Sequence, residues 1–184
     1  MLNKLILIKI RLNFLFMKKT HLLILIFLIF ARLIFMYYSS NLDSMIFTKD
    51  SFQYIYLSED IRNSFFTAKI DNYWINTFRL PGYPIFLSFV ANFTTIKYII
   101  FTNFIFDIIS CFLIYKIIYK IKKDNYLSFL GSLLFLINPN VLISSTQIMT
   151  ENISMMLILI ALYFIDSEKN KKIIFSGFCF ALFS

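Results

Sequence analysis

Three polar side chains outside the long apolar runs of this sequence could do chemistry: Asp50, Arg79 and Glu151. A carboxylate at the edge of a bilayer can accept a proton from a hydroxyl group, and a guanidinium can hold a phosphate through two parallel hydrogen bonds. Each also has a plainer interpretation. Asp50 could cap the helix that follows it, Arg79 could anchor to lipid headgroups, and Glu151 near a helix N-terminus is favourable whatever its role.

The composition indicates the kind of protein in which these residues lie. The chain has 184 residues, of which 59% are hydrophobic and 20% aromatic, and its mean hydropathy is +0.75. Soluble domains are about 45–50% apolar, whereas a helix that crosses a bilayer core of about 30 Å needs about 20 apolar residues. We therefore predict an integral membrane protein.

The net charge of +8 does not indicate a nucleic-acid partner. The cations fall in short clusters between apolar runs, at 4–19, 116–123 and 169–172. Clusters of this kind set the orientation of membrane helices, and they form no single basic face for phosphates. The polar segment 39–82 has four cations against five anions.

The apolar runs predict an all-α, polytopic transmembrane helical bundle. The spans are expected at about 22–38, 98–118, 126–143 and 148–165, with a cut-short run at 173–184. The basic N-terminus is expected in the cytoplasm, which makes 39–97 an external loop. A cleavable signal peptide is the alternative for the first span, but no small-residue cleavage site follows Tyr38. The short last run indicates a single N-terminal fragment, 1–184, of a longer protein, or a truncated gene product.

The external loop is expected to carry helices that lie on the membrane surface. Phe52, Ile55 and Tyr56 give 50–62 an amphipathic pattern. The apolar segment 83–93 is too short to cross. The prolines at its start, Pro81 and Pro84, suit only the first turn of a helix. An interfacial or re-entrant helix is therefore expected at this segment.

Two ionisable residues, Arg32 and Asp107, lie inside the predicted spans. Each is about 11 residues, or about 16 Å, from the inner end of its span. A lone charge at that depth costs about 2.5–3.5 kcal/mol, so we predict that the two form a buried ion pair. Asn103, one turn from Asp107, is expected to add a hydrogen bond. A structural pair is preferred over a proton or ion pathway because no further acidic or histidine relay accompanies it.

Cysteine and histidine usage predicts no metal site. Cys111 and Cys179 both lie in apolar runs, where thiols act as small apolar fillers. His21 is the only histidine, and no metal-ligand spacing is present.

Four motifs together resemble a known family. They are D-S-x-x-Y at Asp50–Tyr54, R-x-P-G-Y-P from Arg79, N-P at 138–139, and M-T-E at 149–151. This pattern is similar to the start of the GT-C membrane glycosyltransferases, and more narrowly to family 39, the protein-mannosyltransferase and aminoarabinose-transferase-like proteins. The resemblance covers roughly 20–184.

The resemblance implies an inverting transfer of a sugar from a polyprenyl-phosphate donor to a lipid, glycan or protein acceptor on the external or periplasmic side. Asp50 would act as the catalytic base on the acceptor hydroxyl, or position it. Arg79 would lie near the donor phosphate, and Tyr54 and Glu151 would belong to the substrate site. A second acidic residue often follows the first in this family. Here that position is Ser51, which argues against a metal-binding pair, and a divalent metal is unsupported. The location implied is a bacterial inner membrane.

Two alternatives remain open from the sequence. One is a non-enzymatic polytopic membrane protein, such as a transporter, flippase or assembly subunit, that uses Arg32 and Asp107 as its functional core. The other is an inactive truncated remnant. The sequence names neither the sugar nor the acceptor.

Overall fold

A computed structural model of the chain describes residues 19–64 and 82–165. These residues form helices and connecting turns without a strand, which confirms the all-α class for this part of the chain. Arg79, the basic segment 1–18 and the apolar run 173–184 lie outside the described residues.

In chain order, the described residues form eight α-helices and one 3₁₀ turn. They are α1 (Lys19–Ser39), α2 (Asp43–Ile46), α3 (Lys49–Ser64), α4 (Gly82–Val90), a 3₁₀ turn (Ile96–Ile99), α5 (Ile100–Lys122), α6 (Asn125–Ile137), α7 (Pro139–Ser145) and α8 (Glu151–Ile165).

Helix α1 is long and apolar enough to cross a bilayer. Only 22% of its most apolar window is buried inside the protein, whereas the core helix of a soluble protein would be mostly buried. Phe27 and Phe30 are 69% and 59% exposed. A signal sequence near the N-terminus would share this length and composition. Within the described residues, α6 and α7 would add a second span if the pair crosses as one unit.

The run predicted as one span over 126–143 is divided into two helices, α6 and α7. The axes of α6 and α7 differ by 55°. Asn138 lies between them with ψ near 120°, because a residue that precedes proline is disfavoured in the α region. Its side chain then accepts a hydrogen bond from the backbone of Asn140 and caps α7.

Helices α5 and α6 form a tight antiparallel pair. The chain reverses at Lys123, whose φ is 55°, and the Asp124 side chain caps α6. Small residues let the two backbones approach closely. The Ser132 hydroxyl donates to the Cys111 carbonyl oxygen at 3.1 Å, and a Cβ added at Gly131 would clash with Cδ1 of Ile118. Small residues at helix contacts are typical of membrane bundles.

Helices α2 to α4 pack over one end of this bundle. The predicted amphipathic helix over 50–62 is present within α3, and its buried side consists of Ser51, Tyr54, Leu57 and Ser58, while Phe52 and Tyr56 are exposed. One apolar cluster joins this layer to the ends of α1, α5 and α8. Its buried members are Met36, Ile46, Tyr54, Tyr83, Leu87, Ile99, Ile100, Phe104, Ile148 and Ile153.

Candidate functional site

The buried charges of α1 and α5 are in direct contact. Nη2 of Arg32 lies 2.8 Å from Oδ2 of Asp107, and the two side chains are 5% and 3% exposed. Arg32 is seven residues before the end of α1 and Asp107 seven residues after the start of α5, so both lie about 10 Å below those helix ends. The ion pair expected from matching depths is therefore present in the structure.

Two further helices bring polar groups to this pair. The hydroxyl of Ser145, at the end of α7, donates to Oδ2 of Asp107, and Nδ2 of Asn152, in the first turn of α8, donates to Oδ1 at 2.7 Å. Arg32 also donates to the Ser145 hydroxyl at 2.8 Å and to the Val141 carbonyl oxygen at 3.2 Å. We call Arg32, Asp107, Ser145 and Asn152 the polar cluster, and it joins α1, α5, α7 and α8.

Asn103 has a different role from the one expected. Its Nδ2 donates to the carbonyl oxygens of Gln147 at 2.7 Å and Ser145 at 3.4 Å, and Asp107 takes its amide hydrogen bond from Asn152 instead. The reason is the non-helical connection between α7 and α8, whose buried carbonyl groups have no helical partner. Asn103 satisfies two of them and holds the connection against α5.

Sequence reasoning missed Ser145 and Asn152. Asn152 stands at the start of an apolar run, where the sequence alone shows it only as an ordinary helix residue. A usable signal did exist, because small polar residues in apolar helices commonly bond across helix contacts. Nothing in the sequence shows which helix they face.

The polar cluster has spare hydrogen-bonding capacity. Nε and Nη1 of Arg32 are buried and have no partner among the described residues, and the same holds for the Oδ1 atoms of Asn103 and Asn152. A guanidinium stays charged in proteins and has five N–H donors. The cluster therefore contains donors and acceptors in excess of those that the described side chains satisfy.

Asp50 lies in the first turn of α3 but does not cap it. The cap is Thr48, whose hydroxyl accepts from the Ser51 backbone N–H at 3.1 Å, while the Ser51 hydroxyl accepts from the Thr48 backbone N–H at 3.1 Å. This reciprocal pair satisfies the start of the helix. Asp50 is consequently not needed as the cap, and its charge is favoured by its place in the first helical turn.

Tyr54 and Glu151 come together around Tyr83. The rings of Tyr54 and Tyr83 meet edge to face with centroids 5.1 Å apart. Tyr83 is 2% exposed, and its hydroxyl has no partner among the described residues. Burial raises the pKa of Tyr83, and the nearby charge of Glu151 raises it further, followed by Tyr54. Tyr83 therefore stays protonated and can donate a hydrogen bond.

A backbone contact brings the two acidic helix starts to the same end of the protein. The Ile148 N–H donates to the Ile46 carbonyl oxygen at 3.3 Å, which joins the segment before α8 to the segment before α3. Asp50 and Glu151 follow these two residues by four and three positions. The fold thus gathers Asp50, Tyr54 and Glu151 at one end, and the position of Arg79 lies outside the described residues.

A groove of about 700 Å³ lies beside the start of α3. The Phe47 and Phe52 rings stack in it with centroids 5.6 Å apart, and the remaining wall carries Ser40, Asn41, Ile55, Thr95 and Tyr98. Phe52 is on the exposed side of α3, whereas Tyr54 is buried on the other. The groove therefore adjoins α3, the helix that carries Asp50, but on the side of the helix opposite Tyr54.

The described residues contain no group of three histidine, cysteine, aspartate or glutamate side chains that could hold a metal ion. No protein-family model matches the chain, and neither a curated protein nor a solved structure matches it significantly. What is established is an all-helical protein with one candidate membrane helix, or two with the bent pair, and with a buried polar cluster.

Proposed function

We propose that this protein is an integral membrane glycosyltransferase of the GT-C type, which transfers a sugar from a polyprenyl-phosphate donor at the external face. The observation that carries the proposal is the gathering of Asp50, Tyr54 and Glu151 at one end of an apolar helical bundle, through the Ile148–Ile46 backbone contact and the Tyr54–Tyr83 ring contact. A polar group of this kind above an apolar wall suits a substrate with a charged head and a lipid tail.

In the proposed reaction, the acceptor hydroxyl attacks the anomeric carbon of the sugar from the side opposite the phosphate. Asp50 accepts the hydroxyl proton as the new glycosidic bond forms. The bond between the anomeric carbon and the phosphate oxygen breaks, and polyprenyl phosphate leaves with the electron pair. Arg79 is assigned to the leaving phosphate because a guanidinium can offset its charge. Tyr54 and Glu151 are assigned to the substrate site.

The polytopic arrangement is part of the proposal. Helix α5 has 23 residues, a length of about 34 Å, and is taken as a second span. Its polar residues Asn103 and Asp107 are bonded within the protein, which lowers the cost of holding them in hydrocarbon. Helices α3 and α4 would then lie at the external surface, and the aromatic and hydroxyl groups of the groove beside α3 would be available to a glycan acceptor.

The test uses the full chain in native membranes supplied, one at a time, with polyprenyl-phosphate-linked hexoses and pentoses. Release of polyprenyl phosphate is the measured quantity. Loss of a general base costs roughly 10²–10⁴ in rate, so Asp50→Asn is expected to lower release by at least about 100-fold. Glu59→Gln, on the same helix, is the matched control and should leave the rate unchanged.

Three results would contradict this proposal. Two concern activity: release at the wild-type rate by Asp50→Asn, and no release from any donor by the wild-type chain. The third is topological. The proposal requires that an Asp50→Cys variant reacts at position 50 with a membrane-impermeant maleimide from the external side. Labelling only from the cytosolic side would contradict both the proposed topology and the proposed chemistry.

A second candidate function is favoured by the unpartnered atoms of the polar cluster. Buried ionisable residues within membrane helices often mark ion or substrate pathways, and Arg32 retains two buried nitrogens without a partner among the described residues. In a transporter or flippase, Arg32→Lys would abolish function while Asp50→Asn would be tolerated. The transferase proposal expects the reverse sensitivity, so the same pair of variants separates the two.

A further inference from the structure

We propose that the groove between α1 and α5 is a binding site for an anionic phospholipid, with an acyl chain along the groove and the phosphate at Lys116. The groove has a volume of about 640 Å³, within the range of about 300–1,000 Å³ that ligand pockets occupy. This lipid-binding proposal requires only that α1 lies in a bilayer, so it is independent of the proposed sugar transfer.

The walls of the groove are suited to an acyl chain. On α1 the lining residues Leu22, Ile26 and Ile29 are spaced by four and three positions, which places them on one face of the helix. On α5 the facing wall includes Ile109 and Phe112. The distance along α1 from Leu22 to Ile29 is about 10 Å. The acyl chain of the lipid would run parallel to α1.

One end of the groove carries a cation that lacks a described carboxylate partner. Lys116 lines the groove, and its Nζ lies 5.2 Å from the centroid of the Phe112 ring. No ion pair between Lys116 and a described carboxylate is present. A lysine stem that lies along apolar surface while its ammonium reaches the interface is typical of membrane proteins, and such a charge attracts anionic lipids.

The opposite end of the groove lies next to the polar cluster. Ile29 precedes Arg32 by one helical turn, and the lining residue Ile108 directly follows Asp107. The apolar wall therefore runs from Lys116 towards the buried ion pair, and we place the lipid headgroup at the Lys116 end and the acyl chain along the wall. This polarity, apolar along the groove and cationic at one end, matches a lipid with a negative headgroup. An apolar helix from a second copy would cover the walls but leave Lys116 without an anion.

Native mass spectrometry of the full chain, released from detergent with palmitoyl-oleoyl phosphatidylglycerol or phosphatidylcholine, tests this site. For the first lipid bound, the complex with phosphatidylglycerol is expected to be about five times as abundant as the complex with phosphatidylcholine. This ratio is the effect of one lysine near a membrane surface. Lys116→Met should remove this preference. Lys122→Met, an exposed lysine on the same helix, is the matched control and should retain it within about twofold.

A second variant tests the groove itself. Ile26 is 52% exposed, so Ile26→Trp can fill the groove without disturbing the core, and it should abolish the tightest binding of both lipids. Ile109→Trp, from the facing wall, should do the same, and far-UV circular dichroism checks that each variant is folded. Retained preference in Lys116→Met would overturn the headgroup assignment. Undiminished lipid binding in both tryptophan variants would show that the lipid, or another occupant, lies elsewhere.

Discussion

Removal of either member of the Arg32–Asp107 pair is expected to destabilise the protein, and removal of both is expected to restore it. Breaking a buried ion pair by deleting one partner typically costs about 3–5 kcal/mol, because the other charge is left uncompensated, whereas an apolar replacement of both is often neutral. The hydrogen bonds of the polar cluster allow the two single variants to be ranked.

Arg32→Leu is the milder single change. Asp107 would keep its hydrogen bonds from Ser145 and Asn152, and a carboxyl group can also become neutral by taking up a proton. We expect a loss of about 3 kcal/mol in the free energy of unfolding. Asp107→Leu should cost more, about 5 kcal/mol, because the Arg32 guanidinium cannot become neutral and would keep only the Ser145 hydroxyl and the Val141 carbonyl as acceptors.

The double variant should return to within about 1 kcal/mol of the wild type. Both charges are then absent, and the remaining polar groups can still pair. The Ser145 hydroxyl can still donate a hydrogen bond to the Val141 carbonyl oxygen at 2.5 Å, and Nδ2 of Asn152 can still donate one to the Ser145 hydroxyl at 3.2 Å. The neighbours of the deleted charges therefore keep partners.

The assay is unfolding of the purified chain by sodium dodecyl sulfate in mixed micelles, followed by far-UV circular dichroism. Arg62→Leu, an exposed arginine of α3, is the control and should shift the unfolding free energy by less than about 0.5 kcal/mol. If the double variant is as unstable as Asp107→Leu, the two charges do not compensate each other and the reasoning is refuted.

Two smaller changes test the packing around α5. Gly131→Ala should leave the free energy of unfolding almost unchanged, because the gain of roughly 1 kcal/mol that alanine has over glycine in a helix is offset by the clash of the new Cβ with Cδ1 of Ile118. Since Ile118→Val removes that atom, Gly131→Ala in the Ile118→Val background should stabilise the protein by about 1 kcal/mol in the same micelle assay. An equal effect of Gly131→Ala in both backgrounds would exclude the close contact as the cause. Asn103→Leu leaves the buried Ser145 and Gln147 carbonyl groups without their side-chain donor and should cost about 1–3 kcal/mol. Limited proteolysis should then cut the connection 146–150 faster, and an unchanged cutting rate would contradict the anchoring role of Asn103.

The sequence predicted much of the helix layout because the relevant signals are local. Apolar runs, basic clusters and proline positions gave helices close to α1, α3, α4, α5 and α8. The break at Asn138 was not predicted. The apolar run continues through it, and hydropathy does not register the steric effect of Pro139 on the preceding residue. The Asn-Pro dipeptide was visible, but only the backbone shows a bend of 55° between two helices.

The candidate site divides in a similar way. The roles of Asp50, Tyr54, Arg79 and Glu151 in transfer remain predictions, since they depend on a substrate and on a resemblance that the comparisons with known proteins do not test. The structure nevertheless changes how Asp50 is understood, because the Thr48–Ser51 pair already caps α3. Tyr83 received no role from the sequence, since nothing local distinguishes a buried tyrosine from an interfacial one.

The sequence alone determined an all-helical, strongly apolar chain and the depth of its buried charges. These follow from residue type and a fixed rise per residue, which need no knowledge of neighbours. The tertiary structure decided which groups form hydrogen bonds to the buried Arg32–Asp107 pair. Ser145 and Asn152 reach Asp107 only because α6 and α7 bend and the chain then turns back into α8. It also decided that Asn103 serves the carbonyl groups of that turn, since hydrogen bonds between distant segments depend on how the helices pack.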